Sequence, residues 1–256
     1  SSTDAAFLEK VKREAAEVIA IHCPRWLGIS TSTQALFRHT YAVPARADAD
    51  PYNVSDATIT HHAEILAASG VEHFVVSGGD DCHLRLIEKL REIRPGIRVD
   101  LLWHGSYAHF QEDYAWQMLK HWIAAAREGT IHRIGVVKKG MEEFLRSEGI
   151  SAVFVANHLS CPPEPPATIQ AEGKHLGLWL SGVNRWKVPY PMLAAVKMVS
   201  HARLHAAGLD ERCKDVISSF RIPVEFFEPR PLPHDELLNA IRRTHLSLYV
   251  TFSECC

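Results

Sequence analysis

The residues from Lys174 to Val196, KHLGLWLSGVNRWKVPYPMLAAV, bring together the groups an anion site needs. The apolar run Leu176–Leu180 has the length of a buried strand. It gives way to the small-residue turn Ser181-Gly182-Val183-Asn184 and then to the cations Arg185 and Lys187, and a helical segment opens at Tyr190. A helix N-terminus presents unpaired N–H groups and the positive end of the helix dipole. Gly182 lets a ligand approach the backbone and Lys187 adds a full charge, so an anion is the ligand this stretch suits. The ordinary alternative for Lys187 is a solvated cation in a polar loop.

In open parallel sheets, ligands sit beyond the carboxyl ends of the strands, where the strand order reverses. Polar or small residues stand at several expected strand ends, among them Ser77–Asp81, His104–Ser106, Asn157–His158 and Ser253–Glu254. His104 and the loop carrying Trp26, Gly28 and Ser30 are candidates for one side of such a site. The alternative for His104 is hydrogen-bonded packing, and for Trp26 and Gly28 it is core filler and turn. Gly78-Gly79-Asp80-Asp81 lacks G-x-G-x-x-G spacing and reads as a strand-to-helix turn with Asp80 or Asp81 as cap. His61-His62 and the i, i+4 pair His201/His205 come with no H-E-x-x-H pattern, so no metal site is expected. Neither a Walker loop nor a Gly-x-Ser-x-Gly elbow is present.

Short apolar segments alternate with helical ones along the chain. Strands are expected at Val18–His22, His73–Ser77, Arg98–Trp103, Arg133–Val137 and Ser151–Asn157. Helices are expected at Thr33–His39, Ala57–Ser69, Cys82–Ile93, Asp113–Arg127 and Gly140–Ser147. That alternation means right-handed βαβ units and a mostly parallel sheet. Cys161-Pro162-Pro163-Glu164-Pro165-Pro166 cannot continue a sheet or helix and reads as a stiff connector between domains 1–166 and 167–256. The pattern then restarts with strand Leu176–Leu180, helix Met192–Ala207 and strand Val224–Phe227. Cys213–Phe220 is ambiguous, and helix Asp235–Thr244 and strand Leu246–Phe252 follow. The second half supplies too few helices to cover both faces of a sheet, so it is expected to be incomplete.

The composition bounds the function classes. A chain of 256 residues with 46% hydrophobic and 23% charged residues has the balance of a globular protein with a core. A net charge of −2 provides no bulk field for nucleic acid or an anionic membrane. The six Cys are scattered without a C-x-x-C pair, which fits reduced thiols. With no signal-peptide pattern and no apolar run near the roughly 20 residues a bilayer demands, the expected location is the cytoplasm and no transmembrane segment is expected. The missing initiator Met and the closing Cys pair suggest a processed or truncated chain.

Two α/β domains joined by a proline-rich segment after an Asn-bearing strand resemble the GT-B glycosyltransferases. LGLWLSGVNRWK resembles the donor loop of the retaining members, and ELLNAIRRTHLSLYVTFSE resembles the helix and strand leading to their Glu-x7-Glu motif. Glu254 matches the first Glu, and the second falls beyond Cys256. The family's Arg usually precedes its Lys by about five residues, where this chain has Ser181 or Gly182. The resemblance implies transfer of a sugar from a nucleotide diphosphate sugar to a hydroxyl of a glycan or glycoconjugate, with no bound metal or other cofactor. It implies donor binding by Gly182, Arg185 and Lys187, with Glu254 facing the sugar and His104 catalytic. Trp26, Gly28 and Ser30 would stand on the acceptor side. The alternatives are a non-catalytic α/β binding module and another nucleotide-sugar enzyme such as an epimerase. An oligomer is compatible with any of these.

Overall fold

A computed structural model of the chain describes residues 2–158, 172–181 and 187–249. The chain falls into two compact units, the first Ser1–Cys161 together with Glu254–Cys256 and the second Pro162–Ser253. Each unit is an α/β structure around its own parallel sheet.

The first unit opens with helix α1 (Ser2–Arg13), strand β1 (Val18–His22), helix α2 (Leu27–Leu36) and the short strand β2 (Thr40–Ala42). Four further strand–helix steps follow: α3 (Asp56–Ala68), β3 (His73–Ser77), α4 (Asp81–Ile93), β4 (Arg98–Trp103), α5 (Asp113–Arg127), β5 (Arg133–Val136), α6 (Met141–Ser147) and β6 (Ala152–Phe154). The strands lie in the order β2-β1-β3-β4-β5-β6 and every pairing is parallel. Winding reverses at β1, with β2 on one side and β3 on the other, so a crevice forms beyond the ends of β1 and β3. Register places His22 beside Ser77 and Ser77 beside Leu102.

Alternation along the strands divides the two faces. Ile19, Ile21, Phe74, Val76, Val99 and Leu101 point into the main core, where Leu86 and Leu90 of α4 and Leu119 and Trp122 of α5 pack on them. Ala20, Val75 and Leu102 point to the opposite face, against Leu36 at the end of α2 and the adjacent Phe37. α3 is capped by Ser55, whose Oγ accepts from Thr58 N, and α4 by Asp80, whose carboxylate accepts from Cys82 N.

The second unit contains β7 (Lys174–Trp179), α7 (Pro189–Met198), β8 (Ala202–Ala207), α8 (Glu211–Ser219), β9 (Val224–Glu228), α9 (His234–Arg242) and β10 (Leu246–Leu248). Its sheet runs β10-β7-β8-β9, again all parallel, with the reversal between β10 and β7. Leu176, Leu178, Leu204 and Ala206 form its core with Leu193 of α7 and Ile217 of α8. The other face carries His175, Gly177 and Trp179 of β7 with His205 of β8. α9, which follows β9 on this unit, has no buried residue.

The expected helix Met192–Ala207 is a helix followed by a strand. α7 stops at Met198, His201 takes a left-handed φ of 60° and β8 begins at Ala202. His201 and His205 therefore do not share a helix face. α2 starts at Leu27 rather than Thr33, and β2 occupies part of an expected loop. The ambiguous segment 213–220 lies largely in α8. The proline-rich connector lies outside the described residues. Among them, no helix is long and apolar enough to cross a membrane.

Leu90 is fully buried between α4 and the first sheet. Leu90→Ala is expected to cost about 2–5 kcal/mol through lost burial and the cavity left behind. Met198→Ala, at 85% exposure, is expected to stay within about 0.5 kcal/mol. Urea unfolding of both variants beside the parent reads the difference.

Candidate functional site

The reversal at β1 sets the first candidate site. β3 ends at Ser77, and the chain turns through Gly78 and Gly79 into α4. Gly78 has φ 66°, and a Cβ on Gly79 would lie 2.8 Å from both Trp122 and Val76. Only glycine lets the backbone pass that close. Trp122 Nε1 donates to Gly79 O at 3.3 Å, holding the turn down from the α5 side. Beyond β4 a similar economy applies: a Cβ on Gly105 would lie 2.5 Å from Nε1 of Trp103. These backbones, with Trp26, His104, Glu112 and Tyr114, line a cavity of about 230 Å3.

His104 is 7% exposed and its Nε2 lies 3.0 Å from Ser77 Oγ. Ser77 Oγ lies 2.7 Å from Thr33 Oγ1, which lies 2.6 Å from Ile29 O. The carbonyl can only accept, so Thr33 donates to it. Thr33 then accepts from Ser77, and Ser77 accepts from His104. This chain puts the hydrogen on Nε2 and leaves Nδ1 as a lone pair, with no hydrogen-bond partner among the described residues. Burial lowers the His104 pKa to about 4, so the ring is neutral at physiological pH. A neutral imidazole with a free acceptor nitrogen at a cavity wall can take a hydrogen bond, or a proton, from a hydroxyl.

Trp26 and His104, placed together by expectation, do share this cavity. Gly28 is exposed with open space where a Cβ would stand, and Ser30 is buried with its N–H bonded to Trp26 O at 2.8 Å. Neither lines the cavity. Glu112, His109 and Tyr114 do, and were not singled out from the sequence. They follow β4 within eleven residues, and a strand end followed by a short helical turn was the available signal.

The second candidate site lies past the end of β7. Lys187 Nζ donates to Ser181 Oγ, which keeps the cation beside the strand end at the reversal of the second sheet. Gly182, Arg185 and Glu254 lie outside the described residues. α7 begins at Pro189 with no side-chain cap.

No protein-family model matches the chain, and no curated protein matches it. Solved structures do. HepE of Anabaena, in complex with UDP and glucose, superposes with a TM-score of 0.61 at 8% identity, over 93% of this chain and 74% of that one. A Neisseria meningitidis UDP-GlcNAc 2-epimerase bound to UDP-GlcNAc gives 0.55 at 11% identity, over 90% and 76%. S. aureus TarM, in complex with fondaparinux, alpha-GlcNAc-glycerol and UDP, gives 0.55 at 12% identity over 75% of this chain. The chain spans only 39% of TarM. At such identities the likeness is one of fold: two Rossmann-like units of the GT-B type.

His104 gives this site a pH signature. Its folded pKa lies below the unfolded value of about 6.5, so the unfolded chain binds more protons between pH 6.5 and 4. The stability contributed is present above 6.5 and lost as pH falls toward 4, by about 3 kcal/mol at 1.36 kcal/mol per pKa unit. His104→Gln is expected to flatten the fall by roughly that amount. Unfolding free energies measured at several pH values in that window check it.

Proposed function

We propose that the chain is a nucleotide-sugar enzyme, a glycosyltransferase that moves a sugar from a nucleotide diphosphate sugar to a hydroxyl of a glycan or glycoconjugate. The observation that carries the reading is His104, neutral, fixed in one tautomer with Nδ1 as the free acceptor, and part of the lining of a cavity near the strand-order reversal. An acceptor hydroxyl bonded to Nδ1 becomes the better nucleophile as its proton leaves. Trp26 offers an apolar wall for a sugar ring. On the donor side, Lys187 at the end of β7, helped by Arg185 and the backbone at Gly182, would meet the diphosphate. Charge on that leaving group grows in the transition state, so fixed cations there lower the barrier. Glu254 would face the transferred sugar. The solved structures of similar fold that hold UDP or a UDP-sugar support the donor class.

An epimerase on this fold is the second reading. It would be expected to pair carboxylates, and among the described residues Glu112 is the carboxylate that lines the His104 cavity.

Calorimetric titration with UDP, GDP, ADP and their hexose conjugates tests the proposal. One nucleotide is expected to bind saturably and to bind about tenfold more weakly to Lys187→Ala, about 1.4 kcal/mol. His104→Ala is expected to retain that binding while losing transfer to added acceptor at least about 100-fold. A folded chain that binds no nucleotide would sink the reading, and turnover of the sugar without an acceptor would move it to the epimerase.

A further inference from the structure

Three buried side chains at the β3–α4 turn aim ligand atoms at one another. An oxygen of Asp80, Sγ of Cys82 and a ring nitrogen of His83 all lie within 4.8 Å of each other, and none of the three residues is more than 2% exposed. His83 Nε2 lies 2.9 Å from Val43 O, and since a carbonyl only accepts, Nε2 carries a hydrogen. In a neutral ring Nδ1 is then a lone pair. Its one lone pair takes the Asp80 N–H at 3.2 Å, a donor that an added proton or ion would displace, and Nδ1 also stands 2.9 Å from Asp80 Oδ1 and 3.5 Å from Cys82 Sγ.

Two acceptors 2.9 Å apart in a dry core repel each other unless a positive centre sits with them. That centre is either a second proton on His83 or a metal ion. An independent observation favours the ion. The other Asp80 oxygen, Oδ2, is buried with no hydrogen-bond partner, and a carboxylate oxygen left bare in a core is costly. The donor set fits as well. Carboxylate, thiolate and imidazole together suit zinc, and a zinc-bound His commonly donates its other N–H to a backbone carbonyl, as His83 does to Val43.

We propose that the β3–α4 turn binds one zinc(II) ion through Asp80, Cys82 and His83. The thiol must lose its proton to bind: zinc(II) adds to the sulfur, the S–H bond breaks and the proton passes to solvent. Burial and the Asp80 charge push the Cys82 thiol up, and the ion's two positive charges offset both effects. Cys23, at the end of β1, is close enough for the Asp80 charge to act on its thiol. The ion would lock the turn whose Gly78 and Gly79 line the His104 cavity. It is a structural site, separate from the donor diphosphate, and stands whether or not the chain transfers sugars.

Titration of the chelator-stripped full chain with cobalt(II) reads the site through its thiolate-to-cobalt charge-transfer band. One equivalent is expected to saturate the band, zinc(II) to abolish it, and a Cys255→Ser/Cys256→Ser variant to keep it. Cys82→Ser is expected to lose it. Should Cys82→Ser fail to fold, X-ray absorption of the zinc-loaded parent decides, with a sulfur ligand at about 2.3 Å expected beside nitrogen and oxygen. No band in the folded parent, a band that survives Cys82→Ser, or a zinc shell without sulfur overturns the proposal.

Discussion

Gly79 has no room for a side chain, and much of the first unit depends on that. With Trp122 and Val76 both 2.8 Å from where a Cβ would stand, the backbone leaving β3 is pressed against the core and cannot drift. From that fixed path Asp80 reaches the N-terminus of α4, Ser77 sits under His104, and Gly78 lies against Ile29 of α2. A residue with a side chain at position 79 would have to lift the turn off Trp122. The cap, the hydroxyl chain and the cavity floor would then lose their common reference at once.

The strands of the first unit were legible because buried parallel strands are short apolar runs bounded by turn residues. His73–Ser77 and Arg98–Trp103 agree with expectation at both ends. β8 was not legible. Ala202–Ala207 reads ARLHAA, half of it Ala, a strong helix former, and it follows α7 without a Gly or Pro between. The break falls on His201 at a left-handed φ, a position where no Gly or Pro marks the turn, so composition could not announce it. β2 is three residues long and lies in a polar stretch, too short to carry a period.

The candidate site was legible to a similar depth. His104 stood out because it follows a strand, and Trp26 because it follows another. What gives His104 its chemistry is the succession Ser77, Thr33 and Ile29 O, which lie 27, 71 and 75 residues away in the chain and meet only through folding. The Asp80–Cys82–His83 cluster shows the reverse case. Its members are neighbours in sequence, and of them the sequence singles out Asp80 alone, as a candidate helix cap beside Asp81, and Asp80 is that cap. The second role came into view only with the opposed acceptors at 2.9 Å and the bare Oδ2.

The order of strands in the second sheet also has a bearing on biosynthesis. The first sheet grows outward from β3 to β6 in chain order, so the last of its described strands is in place once Phe154 has left the ribosome. The second sheet seats its last described strand, β10, beside its first, β7. One edge of β7 therefore stays unpaired through the synthesis of some seventy residues. Vectorial folding favours the first unit, and the nascent second unit is the one with an open strand edge for a chaperone to cover.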